Sequence, residues 1–496
     1  MIKNFSSSKE VFAWLSGFIN LERGQKPKSF RLDRMAELTK LAGNPQSCAP
    51  SIHIAGSKGK GSVTSMLAAM LTAAGLKTAR YMSPHVTDIR ERISCGDSFF
   101  GEDIYCSAGD ELRHVTEILL PATLESQSSN LFDEQSGCEP TFWELLTLLF
   151  FLCARTAKCD IMVVETGMGG RLDSTNVLDP LVSVITLIEL EHTAFLGNTI
   201  EAIAGEKAGI IKQGKPLVLA KQCDEALKVF REKALKKNSP LFYLPEIAEI
   251  SDIKITKQGT EFNLFFNNCS LLTAHCSTLT DNCSLLTIPI PGKVQAENAA
   301  LAIATLKIVF QNNTHVEPLV RDTSNLWFET QKIRREINKD IINNGLASLK
   351  IPARFEKIEC KSSVGYKGSF IIDGAHTPES LALCIETFCS LYGDGGVLLF
   401  GCAADKDAVA MAKIAHSHFI KIIITTPGTF KISNPEKVFE GFTSIAEQGK
   451  TELVLNTQEA VLQAVNFAQR NNLPVLGTGS FYLVSEIKKI TCQLRK

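Results

Sequence analysis

A buried strand, a glycine loop and a helix follow one another without a break from Pro50 to Gly75, and no other feature constrains the fold as much. "PSIHIA" is a short apolar strand, and "GSKGKGS" follows it. "SVTSMLAAMLTAAG" then has the composition and length of a helix stopped by Gly75. A glycine loop in that setting turns backbone N–H groups and the positive end of the helix toward a phosphate, with Lys60 reaching the transferable end. The usual phosphate loop has Ser or Thr directly after Gly-Lys. Here Gly59 and Lys60 are followed by Gly61, and the hydroxyl arrives one place late at Ser62. The segment reads as a nucleotide-binding loop of a subclass with its own spacing.

The βα alternation continues around it. "KTARYM", "DIMVVE" and "LVSVITLI" are short β-branched runs of the kind found in parallel sheets, and "TFWELLTLLFFLCARTA" and "TIEAIAGEKAGIIKQG" have helical spacing. From about residue 241 to 290 the texture changes: "EFNLFFNN", "CSLLTAHC" and "NCSLLTIPIP" predict a small antiparallel sheet. The helix "KVQAENAALAIATLKIVF" returns the chain to the first domain, and another helix is expected at "TQKIRREINKDIINNG". After "IPARFE" come five more strands, "SFIID", "GVLLF", "FIKIIIT", "ELVL" and "PVLGT". The expected fold is α/β throughout. A phosphate-loop ATPase-type domain with a mostly parallel sheet and a small antiparallel region spans 1–347. A doubly wound, Rossmann-like domain spans 348–496, with a linker near 345–352.

A chain of 496 residues is too long for one ordinary core. The formal net charge of -1 gives no electrostatic case for nucleic acid or an anionic membrane as partner. Fifteen cysteines, odd in number and never spaced C-x-x-C, fit a reducing compartment better than a disulfide framework or a zinc site. The N-terminus reads as an amphipathic helix without a signal-peptide core, and no run of about 18 apolar residues is present. A soluble, cytoplasmic protein, acting as a monomer on small molecules, is expected.

Three further positions join the loop. Glu165 ends the apolar strand "IMVVE", the arrangement in which an acid emerges at the edge of the sheet that also carries the phosphate loop. His192 in "IELEHTAFLG" follows another such strand, and Ser83 in "YMSPHV" lies just past a third. Each alone fits an ordinary loop residue. Four features at one edge of one sheet point to a site.

With these residues in view, the chain resembles the folylpolyglutamate synthase and dihydrofolate synthase family, relatives of the Mur ligases. The likeness runs almost end to end: "RMAELTKLAGNPQ", "HIAGSKGKGS", "SPHVTDIRERI", "PTFWELLT", "VVETGMGGRLDSTNV", "EHTAFLG", "IAGEKAGIIKQGKP", "QAENAALA", "PARFE", "DGAHTPES", "GCAADKD" and "GTGSFYLVSEIK". A glycine between the loop lysine and serine is typical of that family. The resemblance implies an amide ligase in which ATP phosphorylates a folate-type carboxylate and L-glutamate's amine attacks the acyl phosphate.

The resemblance also implies roles. Gly59, Lys60, Gly61 and Ser62 would hold the ATP phosphates, with Asn298, Arg354 and Asp373 as further nucleotide contacts. Ser83, Glu165, His192 and Lys207 match magnesium ligands, Lys207 as a carbamate. His376 joins Lys60 and Lys207 as a catalytic candidate. Thr141, Phe142, Trp143, Glu144, Leu172, Asp173 and Ser174 fall in blocks that line the family's pterin pocket. There Phe142 and Trp143 are candidates for stacking on the ring, although the same pair also fits a helix core.

Four positions depart from the family: Lys58 for Asn, Glu191 for Asp, Ala353 for Gly and Thr377 for Asn. Ala353 strains its turn if that turn needs a positive φ. Two other readings stand beside this one, a Mur-type ligase acting on a cell-wall precursor and a non-catalytic nucleotide-binding relative.

Overall fold

The computed structural model describes residues 4–20, 31–125, 139–267, 284–312, 337–358, 369–428, 432–445 and 449–493. Eight strands form the first sheet: β1 (Ser51–Ala55), β2 (Thr78–Tyr81), β3 (Ile93–Cys95), β4 (Ser98–Phe99), β5 (Ile161–Glu165), β6 (Val182–Ile185), β7 (Leu217–Leu219) and β8 (Leu241–Tyr243). Their order is β4-β3-β2-β5-β1-β6-β7-β8. From β2 to β8 every pairing is parallel, while β3 and β4 add an antiparallel edge.

The sheet buries both faces, which explains its near-continuous apolar strands. Ile52, Ile54, Ile161 and Val163 meet the helix Lys60–Ala73 on one face. Met162 and Val164 meet the helix Phe142–Thr156 on the other. Among the described residues no helix is long and apolar enough to cross a membrane.

A second sheet of β9 (Ala248–Thr256), β10 (Gly259–Phe266) and β11 (Ser284–Ile288) is antiparallel, in the order β11-β10-β9. The antiparallel unit therefore begins at Ala248 and not near 241, because Leu241–Tyr243 pairs parallel with β7 and closes the first sheet. Three residues are too few to show which face alternates. The strand expected at "CSLLTAHC" lies outside the described residues.

The helix Lys293–Asn312 packs in the first core, and so does the later helix Lys339–Ala347. The latter approaches the phosphate-loop helix closely enough that a Cβ on Gly345 would lie 2.5 Å from the Cα of Met70. Only glycine permits that approach.

The third sheet holds β12 (Glu356–Ile358), β13 (Phe370–Ile372), β14 (Gly396–Phe400), β15 (Phe419–Ile424), β16 (Thr451–Leu453) and β17 (Val475–Thr478), in the order β12-β13-β17-β14-β15-β16. All pairs are parallel except β12 with β13. Alternate residues face opposite helical layers, Val397 and Leu399 one way, Leu398 and Phe400 the other. The antiparallel strand β12 was not expected from the sequence.

His53, fully buried on β1, hydrogen-bonds through Nε2 to Thr175 Oγ1 at 2.8 Å. Burial, and next the charge of Lys212, depress its pKa to about 3. The unfolded chain therefore takes up a proton that the folded chain refuses. This stability is full above pH about 6.5 and is lost as pH falls toward 3, by about 1.4 kcal/mol per unit. Between pH 7 and 5, His53→Gln is expected to lose less unfolding free energy than the parent. An equal loss in urea titrations would refute that assignment.

Candidate active site

The C-terminal ends of β1, β2, β5 and β6 reach one rim of the first sheet, and the loops beyond them form one wall of a cleft of about 1340 Å³. The other wall comes from the third sheet, through segments around Arg354, His376, Lys406 and Phe481. Gly59, Lys60, Gly61 and Ser62 line the first wall.

Ser57 and Lys58 spend their N–H groups on the Leu187 carbonyl, at 2.8 and 3.1 Å, which ties the loop to the segment after β6. The donors left for an anion are those of the first helical turn, which have no partner within the helix. Gly59 has φ +90°, and a Cβ there would lie 2.4 Å from Asn298 Oδ1, so this glycine brings Asn298 against the loop. Gly61 carries no such demand: a methyl would make ordinary contacts with Glu165 and Met82. Lys60 Nζ donates to the Gly56 carbonyl at 2.8 Å.

Ser83, Glu165 and His192 also line the cleft. The Ser83 N–H donates to Glu165 Oε2 at 3.4 Å. Burial pushes Glu165 up to about 7, with Lys60 opposing. His192, at φ +46°, precedes the short helix Thr193–Leu196. The surrounding protein holds its pKa at about 4, against the pull of Glu191, so its imidazole is neutral. The Ser83 hydroxyl and the Glu165 carboxylate offer the hard oxygen donors that Mg²⁺ takes, and the neutral imidazole of His192 adds a nitrogen lone pair at the same rim.

Lys207 does not line the cleft. It is 1% exposed and lies just behind the rim, donating to the Gly56 carbonyl at 2.8 Å and to Glu191 Oε1 at 2.7 Å. Two ammonium groups thus share one carbonyl oxygen. Burial first and Lys60 second bring Lys207 down to about 8. Burial raises Glu191, but Lys60, Lys207 and His192 outweigh it and hold this acid at about 2.

The second wall is built on unusual backbone. Ala353 and Phe355 have φ of +59° and +45°, and Arg354 stands between them. The positive φ anticipated for a glycine is therefore present with alanine in place. A left-handed alanine costs about 1–2 kcal/mol. Burying its methyl returns about 0.8 kcal/mol, and avoiding glycine's extra freedom returns about 0.5–1 kcal/mol. The balance is near zero, which explains how alanine is tolerated.

Asp373 accepts from the N–H groups of Phe355 and Ala375, each at 2.8 Å, and burial raises its pKa against the pull of Arg354. The Arg354 guanidinium lies 5.0 Å from the Phe481 ring centre. His376 Nδ1 bonds to the Gly374 carbonyl at 2.8 Å, so Nδ1 carries the hydrogen and Nε2 is an acceptor. Burial, and then Lys58, depress His376 to about 3.

The proposed pterin segment is only partly in the cleft. Trp143, Leu172, Asp173 and Ser174 line it, as do Thr141 and Glu144. Phe142 does not: it is 3% exposed and packs in the core beneath, so of the aromatic pair only Trp143 reaches the cleft. The Arg92 guanidinium sits 4.9 Å from the Trp143 ring centre. Glu144 is occupied structurally. It closes a capping box with Thr141 and pairs with Arg34 at 2.8 Å, both side chains buried. Removing one partner of such a pair costs about 3–5 kcal/mol.

Sequence reasoning did not single out Arg34, Lys406 or Phe481, although each stands within a quoted block. Lys406 lowers the pKa of both His192 and His376, one from each wall.

The Mur ligase middle domain matches residues 119–306 and the Mur ligase glutamate ligase domain matches residues 353–481. The chain is 30% identical over 457 residues to folylpolyglutamate synthase of Lacticaseibacillus casei, covering 92% of this chain and 93% of that one. It is 29% identical over 492 residues to dihydrofolate synthase/folylpolyglutamate synthase of Bacillus subtilis (strain 168), covering 98% and 99%. Mycobacterium tuberculosis folylpolyglutamate synthase, solved with ADP and AMPPCP, shares the fold with a TM-score of 0.79 at 23% identity, covering 98% of each chain.

Proposed function

Since the chain belongs to the folylpolyglutamate synthase and dihydrofolate synthase family of ATP-dependent glutamate ligases within the Mur ligases, we propose that its cleft joins L-glutamate to a folate-type carboxylate through an acyl phosphate. The observation that carries this is the meeting of the phosphate loop with Arg354, Asp373 and His376 across one cleft. A carboxylate is a poor acyl donor because oxide leaves badly. Transfer of the γ-phosphoryl group makes phosphate the leaving group, and the amine of glutamate then displaces it.

On this reading the first-turn N–H groups and Lys60 bind the ATP phosphates, while Asn298, Arg354 and Asp373 complete the nucleotide site. Ser83, Glu165 and His192 would hold Mg²⁺, which supplies neutralisation of phosphate charge. Lys207 would add carbon dioxide at Nζ, releasing one proton and becoming a carbamate. Its lowered pKa favours the neutral amine that such an addition needs. Trp143, Leu172 and Ser174 would border the pterin. We place the division between domains at 347/348 and the enzyme in the cytoplasm as a monomer.

Phosphate release from ATP, measured with L-glutamate and either dihydropteroate, tetrahydrofolate or a cell-wall precursor, tests the reading. Release with a folate-type acceptor supports it, and release only with the cell-wall precursor overturns it. Arg354→Ala is expected to lower kcat/KM for ATP by about 10- to 100-fold, the worth of a hydrogen bond to a charged group, with little change in KM for glutamate. Unchanged ATP kinetics would remove the second wall from the nucleotide site.

A further inference from the structure

Away from the cleft, three chemically different ligand groups converge. Cys389 lies near the end of the helix Pro378–Tyr392, Asp394 in the turn that follows, and His418 just before β15. His418 Nδ1 is 2.8 Å from Asp394 Oδ1 and 3.7 Å from Cys389 Sγ. One ligand atom from each lies within 4.8 Å of the other two. The backbone fixes this approach. The Gly393 N–H donates to the Cys389 carbonyl at 2.9 Å and the Gly395 N–H to the His418 carbonyl at 2.8 Å. Gly393 and Gly395 have φ of +81° and +95°, which lets the turn double back between them.

We propose that Cys389, Asp394 and His418 form a Zn²⁺ site, with water as the fourth ligand. Zinc bonds of about 2.3 Å to sulfur and about 2.0–2.1 Å to nitrogen or oxygen put tetrahedral ligand atoms about 3.3–3.6 Å apart. The sulfur–nitrogen separation is already close to that, and the nitrogen–oxygen pair needs to open by about half an ångström. A thiolate with an imidazole selects zinc or cobalt over magnesium or calcium. On binding, the Cys389 proton passes to solvent, and Nδ1 of His418 gives up the hydrogen it donates to Asp394, so that its lone pair takes the metal while the ring carries its hydrogen on Nε2. Asp394 is exposed and the other two are partly exposed, which gives the ion a way in.

The site is separate from the chemistry already described. β14 starts at Gly396 and β15 at Phe419, so Asp394 and His418 stand just before strand beginnings, and Cys389 near the end of the preceding helix. The cleft is lined by residues beyond strand ends, such as Ala403 and Ser480, and by earlier positions of the Cys389 helix, Leu383, Cys384, Glu386 and Thr387, but by none of the three ligands. Zinc there would fasten the end of a helix to the edge of the sheet.

The test is a Co²⁺ titration of the purified chain in excess Mg²⁺, read by thiolate-to-cobalt charge-transfer absorption and repeated with Zn²⁺ as competitor. One equivalent of absorbing Co²⁺, displaced by Zn²⁺ and absent in Cys389→Ser, is expected. His418→Gln and Asp394→Asn should bind at least tenfold more weakly. Zn²⁺ should raise the Tm of the parent but not of Cys389→Ser, as binding to the folded form alone requires. ATP-dependent phosphate release by Cys389→Ser without zinc should match the parent, which verifies its fold. No thiolate band in the parent, or a band that survives Cys389→Ser, overturns the proposal.

Discussion

Lys60→Ala is expected to abolish turnover in a protein that remains folded. Lys60 opens the helix Lys60–Ala73 and is only partly buried, with its ammonium on the Gly56 carbonyl. Alanine is a better helix former than lysine, and the vacated carbonyl keeps the ammonium of Lys207. The fold therefore loses little. On the proposed mechanism the reaction loses the cation that neutralises charge as the phosphoryl group moves, a contact worth about 3 kcal/mol or more, or over 100-fold in rate. Single-turnover phosphate release with folate-type acceptor and glutamate measures this directly. Near-normal rates in a mutant with an unchanged Tm would show that another group does the neutralising.

The second large effect is expected at Lys207. Its ammonium is buried beside Glu191, which permits two roles with opposite predictions. If it serves only as the counter-ion of Glu191, Lys207→Arg keeps the charge and should retain activity. If it serves as a carbamate, arginine cannot form one, and both Lys207→Ala and Lys207→Arg should fall by about 10²-fold or more. Acetate or formate should then partly restore Lys207→Ala, by putting a carboxylate into the space left behind. We expect the second pattern. Activity in the arginine variant without added carboxylate would exclude the carbamate.

Much of the first wall was legible because it depends on local order. A strand, glycines, a lysine and a helix announce the loop whatever surrounds them. Ser83, Glu165 and His192 could be placed at one rim because parallel strands all end on the same side. The short strands β3, β4, β7, β8 and β12 were not legible, since two or three residues carry no period and their pairing is decided by neighbours far along the chain. Phe142 and Trp143 fitted both ring stacking and a helix core for a related reason. Adjacent residues on a helix point about 100° apart, so Trp143 reaches the cleft while Phe142 enters the core. The pairing of Arg34 with Glu144 spans more than a hundred residues and leaves no spacing to read. The cluster of Cys389, Asp394 and His418 defeated cysteine arithmetic in the same way, because it draws a single cysteine and takes its other ligands from a turn and a strand entrance.

The carbonyl shared by Lys60 and Lys207 gives the site a calendar. Addition of carbon dioxide needs Lys207 without its proton, and the neighbouring charge of Lys60 favours that form. ATP would draw Lys60 away to its phosphates and bring several negative charges close, and both changes return the proton to Lys207. On the proposed mechanism the lysine therefore matures in the empty enzyme, before the first nucleotide arrives.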